Sequence, residues 1–109
     1  MSQTLKKLAQ VQLTAADLQI YIAPASTYTV VTGLYVCNTD TSDRTFQLYQ
    51  VDAAGSSATT NALYYDYPVA TKRTFWLATP IVLEPGQMLR GVASSANKLT
   101  VTVFGIERV

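Results

Sequence analysis

Tyr28-Thr29-Val30-Val31-Thr32-Gly33-Leu34-Tyr35-Val36-Cys37-Asn38 is the stretch that decides the fold. It is the longest run rich in β-branched and aromatic residues, it carries no proline or charge, and a turn cluster of short polar residues, Asn38 to Arg44, follows it. Those are the marks of a central β-strand.

Working outward, shorter strands alternate with turn signals. On the N-terminal side, Leu18 to Ile22 reads as a strand stopped by Pro24, and the chain enters through an edge strand near Ala9 to Leu13. Residues 1–8 are expected to be a short flexible arm and residues 9–109 the folded domain. On the C-terminal side, Thr45 to Val51 reads as an antiparallel partner, and Asp52 to Asn61 as a loop with little to bury. Ala62 to Tyr67 is a short strand or irregular aromatic segment ending at Pro68. Arg73 to Ala78, Ile81 to Leu83, Met88 to Ala93 and Leu99 to Glu107 complete the set, with Glu84-Pro85-Gly86-Gln87 as a type II turn. About eight short strands without a substantial amphipathic helix predict an all-β chain. The expected architecture is a single antiparallel β-sandwich or jelly roll.

Composition narrows the function. The 109 residues include 14% charged and 49% hydrophobic side chains, a balance that favours folding over disorder. A net charge of +1 provides no field for nucleic acid or anionic lipid. With no histidine, Ser-His-Asp and Cys-His catalysis and His-ligated zinc are ruled out. Cys37 stands alone, so no intrachain disulfide forms, and it reads as a small buried hydrophobe. Glu84 and Glu107 are far apart in sequence and suggest no carboxylate pair. Asp40 and Asp43, with Asn38, lack the spacing of a calcium loop and read as turn formers. We therefore expect no enzyme activity, cofactor, metal, nucleic-acid partner or membrane span. Without an apolar signal segment, synthesis in the cytoplasm is expected.

Two apolar faces carry the functional reading. Strict alternation puts Tyr28, Val30, Leu34 and Val36 on one face of the central strand and Val31, Tyr35 and Cys37 on the other. Trp76 opposes Phe75 and Leu77, and Phe104 and Ile106 oppose Leu99, Val101 and Val103. Either loops and the arm cover the second face, or another subunit does. The aromatic residues there, with little lysine or glutamate, suit an interface core. Tyr35, Tyr49, Trp76, Phe104 and Ile106 are the candidate protein-contact residues, with Lys6 and Lys7 on the arm. A second candidate is a sugar platform of Tyr64, Tyr65 and Tyr67 with Asp66 as acceptor, against the alternative that alternate tyrosines pack inward.

Tyr21-Ile22-Ala23-Pro24, the strand closing in Cys37-Asn38-Thr39, Val82-Leu83-Glu84-Pro85-Gly86-Gln87, and Thr100 to Glu107 occur in an order that resembles the small β-sandwich structural proteins of tailed bacteriophages. Gln87 stands where that pattern more often has aspartate. The resemblance implies a virion component without catalytic residues, working with other viral structural proteins as a homo-oligomer, often a trimer. It implies a capsid decoration (cement) protein made in the host cytoplasm. The alternative is a tail or fibre component acting as a carbohydrate- or receptor-binding module.

Overall fold

In the computed structural model, residues 5–108 are described. They form nine strands: β1 (Lys6–Gln12), β2 (Leu18–Ile22), β3 (Tyr28–Asn38), β4 (Arg44–Val51), β5 (Ala62–Val69), β6 (Thr74–Leu77), β7 (Ile81–Leu83), β8 (Met88–Ala93) and β9 (Leu99–Arg108). A single 3-10 turn, Thr59–Asn61, precedes β5. All pairings are antiparallel: β1 with β9, β2 with β8, β3 with both β6 and β7, and β4 with β5. This is one long nested hairpin whose tip is β4–β5. Rolling it up adds β9 beside β3 and β8 beside β4. The result is a five-stranded sheet, β1-β9-β3-β6 with β7 also on β3, and a four-stranded sheet, β2-β8-β4-β5. Each strand alternates, so each sheet turns an apolar face inward, and that strand order is a jelly roll.

β3 lies in the middle, as its composition demands, but its phase differs from strict alternation. A bulge between Val31 and Gly33 inserts an extra residue. Val31, Leu34 and Val36 are buried together in the core, whereas Tyr28 is exposed and Val30 half-buried. A bulge places two residues against one, which moves everything N-terminal to it onto the opposite face. The bulge is matched by Gly105, across from Val31, where an added Cβ would lie 2.2 Å from the Val30 carbonyl oxygen.

Several boundaries also move. β1 starts at Lys6, not Ala9, because Leu8, Ala9 and Val11 pack on the core and pair the segment with β9. Residues 6–8, expected in the arm, therefore belong to β1, and residues 1–4 lie outside the described residues. β5 continues through Pro68 to Val69, since it is the sheet edge and a missing N–H there breaks no ladder bond. β6 and β7 behave as two halves of one strand running along β3, interrupted at Pro80. The turn before β8 has Gly86 at φ +83° and a Gln87 N–H to Glu84 carbonyl bond of 2.9 Å, as the proline-glycine pair predicts.

Candidate protein-contact surface

The outer faces of the two sheets differ. On the four-stranded sheet, Tyr49, Val51 and Met88 point outward yet are buried. The segment 52–61 returns across them. Its 3-10 turn contacts β4, Gly55 lies against Val51, and Ser57 donates to Asp17 at 3.0 Å. That loop has a small apolar cluster to cover, contrary to expectation. Tyr49 is 6% exposed, with its hydroxyl donating to Gln47, so it is withdrawn as a contact residue. Burial pushes its hydroxyl pKa up.

On the five-stranded sheet no segment returns among the described residues. Tyr35 and Trp76 are cross-strand partners on β3 and β6, stacked with ring centroids 6.2 Å apart. Phe104, from β9, meets Tyr35 edge-on at 5.7 Å. Phe104 is opposite Gly33, which has no side chain to cover it. Trp76 is 63% exposed and Tyr35 38%. The apolar surface continues through the half-buried Val30 and Ile106 to Val82 and Tyr28, which are both exposed. Val82 escaped notice in the sequence, although alternation in Ile81-Val82-Leu83 carries the signal. Cys37 shares this outer face and is half-buried, not a core residue.

The basic residues of β1 separate. Lys7 pairs across from Phe104 at the rim of the aromatic patch. Lys6 is committed elsewhere, to a 2.7 Å ion pair with Glu107. Glu107 also accepts a hydrogen bond from the Tyr21 hydroxyl, which lies 3.0 Å from Thr29 Oγ1. Tyr21 belongs to the other sheet, so this polar group ties the two layers at one end of the sandwich. The Lys6 and Tyr21 hydrogen bonds hold the Glu107 carboxyl below its usual range. Burial and the bond to Glu107 push Tyr21 up to about 12.

A pH dependence follows. An unfolded tyrosine loses its proton near pH ~10. Folded Tyr21 holds it until about 12, so its contribution is complete below ~10 and disappears between those values. Glu107 contributes in the opposite sense: its share is present above the ordinary carboxylate pKa and is lost as pH falls through its lowered folded value. Thermal unfolding followed by circular dichroism should show a falling midpoint on both limbs. Tyr21→Phe should flatten the alkaline limb, and Glu107→Gln the acid one. Alkaline limbs of equal slope in wild type and Tyr21→Phe would refute the assignment.

The four sugar candidates do not form one platform. Asp66 has φ +50° inside a bulged part of β5, so Tyr64 and Tyr67, three residues apart, turn to the same inner side. There they pack with Phe46 and Phe75, at centroid distances of 4.8 to 6.0 Å. Tyr65 stays exposed on its own, and Asp66 accepts a 2.8 Å bond from Gln47. The turn acids are likewise engaged. Asn38 donates to the Ser42 and Val69 carbonyls and accepts from the Asp40 N–H. Asp43 accepts from the Thr71 N–H. Asp40 pairs with Arg44 at 2.5 Å, and the hydrogen bond from Arg44 lowers its carboxyl pKa. Among the described residues no group of three or more His, Cys, Asp or Glu could hold a metal.

No protein-family model matches the chain, and no curated protein does. Among solved structures it is similar to a chain in the structure of infectious bursal disease virus, Gx strain, with 12% identity and a TM-score of 0.50. A chain of the Gt strain of that virus gives 11% identity and a TM-score of 0.48. The alignment covers 97% of the present chain but 30% of the Gx chain, and 96% and 32% for Gt. At this identity the Gx likeness is one of fold: the jelly roll described above recurs as part of a longer viral chain.

Proposed function

We propose that this protein is a non-enzymatic structural component of a virus particle, attached through the outer face of its five-stranded sheet. The observation that carries the proposal is the uncovered Tyr35–Trp76–Phe104 patch. On its other outer face the same fold covers the Tyr49–Val51–Met88 cluster with segment 52–61, whereas no described segment covers the aromatic patch. Large apolar patches on a folded surface mark interaction sites, and tyrosine and tryptophan are enriched where binding energy concentrates. The fold likeness to a viral chain supports this setting, and the sequence resemblance favours a capsid decoration protein of a tailed bacteriophage, with a tail or fibre component as the alternative. Its partners would be neighbouring viral structural proteins and further copies of itself. Its work would be mechanical: burying apolar area against those neighbours, at roughly 25 cal/mol per Å² before association costs.

The test is occupancy on particles. Trp76→Ala and Tyr35→Ala should each weaken attachment by about tenfold or more, with unfolding midpoints near wild type, because neither side chain is in the core. Wild-type occupancy of both variants, measured by imaging and gel densitometry of purified particles, would refute the proposal.

A further inference from the structure

The free edge of the five-stranded sheet is formed by β6 and β7, which pair only with β3 among the described strands. Two of its properties are complementary to themselves. The first is charge. Exposed Lys72 and Arg73 stand where the edge begins, and exposed Glu84 stands where it ends. None of the three forms an ion pair among the described residues. The second is shape. Trp76, the most exposed large hydrophobic side chain described, projects from the first half. The second half presents the exposed Val82 on the same outer side.

We propose that the β6–β7 edge is a self-association surface where two copies of this chain meet antiparallel, each setting its Trp76 against the other's Val82. Antiparallel approach exchanges the ends, so Lys72 and Arg73 of each copy come beside Glu84 of the other. A two-fold axis at Thr79 puts Trp76 opposite Val82 and Thr74 opposite Glu84, with Trp76 and Val82 both on the outer side of the sheet. Such an isologous contact uses one patch twice and closes on itself. The net charge of +1 leaves little repulsion between copies. Side chains make the contact, not a continuous backbone ladder: Pro80 has no N–H, and the Val82 carbonyl already accepts a 2.8 Å bond from Gln50 Nε2. The inference rests on the reading of the outer face as a contact surface, and names the second copy as one occupant.

Sedimentation equilibrium of the full chain at about 1–100 μM tests it. We expect a dimer that weakens with added salt. Trp76→Ala should raise the dissociation constant at least about 30-fold. Glu84→Arg should dissociate the dimer, and combining it with Lys72→Glu and Arg73→Glu should restore it. A wild-type monomer throughout that range, or a triple variant as weak as Glu84→Arg, would overturn the proposal. If the wild-type chain is monomeric while Trp76→Ala still strips it from particles, the contact face stands and the second copy does not.

Discussion

Gly105→Ala should leave little or no stably folded protein. The position is in the middle of the most heavily paired region, with β1 on one side of β9 and β3 on the other. An alanine Cβ would lie 2.2 Å from the Val30 carbonyl oxygen, 2.9 Å from Leu8 Cδ1 and 3.0 Å from Val31 Cα. Two of those three atoms are backbone and belong to the strand whose bulge sets the core register. Leu8 can turn away, but Val30 cannot move without opening the β3–β9 ladder. Overpacking in a core costs ~1–3 kcal/mol when side chains absorb it, and more when backbone must move. We expect a loss of at least about 3 kcal/mol, a large share of the ~5–15 kcal/mol that a domain of this size commands. Gly33→Ala is the control. It occupies the same bulge, but its added Cβ meets nothing within 4 Å, so its unfolding midpoint in urea should match or exceed wild type. A Gly105→Ala midpoint as high as that of Gly33→Ala would refute this account.

These two glycines show where the sequence can be read and where it cannot. The β-rich run from Tyr28 to Asn38 is a central strand because its residues prefer a pleated, buried surface, and that preference is local. Its bulge is not local: it depends on Gly105, more than seventy residues away, being small where the strands meet. Period-two reasoning therefore assigned Val30 and Tyr28 to the core and Val31 to the surface, the reverse of the structure. The same limit appears at β5, where the left-handed backbone at Asp66 aligns Tyr64 with Tyr67. Trp76 and Phe104, on strands without such a shift, were legible as outward residues from alternation alone. Tyr49 was read correctly as outward but not as covered, because the cover is an Ala/Gly/Ser/Thr-rich loop with no apolar pattern of its own. Segments that cover through backbone and small side chains leave little trace in hydrophobic periodicity.

Phe46→Ala should be the most damaging large-to-small change among the aromatic residues, and it separates the aromatics that hold the sandwich from those that face outward. Phe46 is 1% exposed and sits on β4 in the four-stranded sheet. Its ring lies 5.6 Å from Phe75 of the opposite sheet, 6.0 Å from Tyr64 and 5.8 Å from Tyr67. One ring thus joins both layers and the edge strand, and tilted or edge-on contacts at these distances add to the burial itself. Truncation removes the apolar transfer energy and leaves a void, which together cost ~3–5 kcal/mol. The lower part of that range is expected, because Tyr67 is 39% exposed and its end of the cluster can settle inward. By contrast, Trp76→Ala and Tyr65→Ala remove rings with most of their surface in solvent, and each should shift stability by less than ~1 kcal/mol. Urea unfolding of the three variants tests the division. If Phe46→Ala unfolds at the same midpoint as Trp76→Ala, the four-ring cluster does not hold the layers together. Tyr64 and Tyr67 would then be free to serve a ligand, and the sugar-binding reading would regain the rings that this packing takes from it.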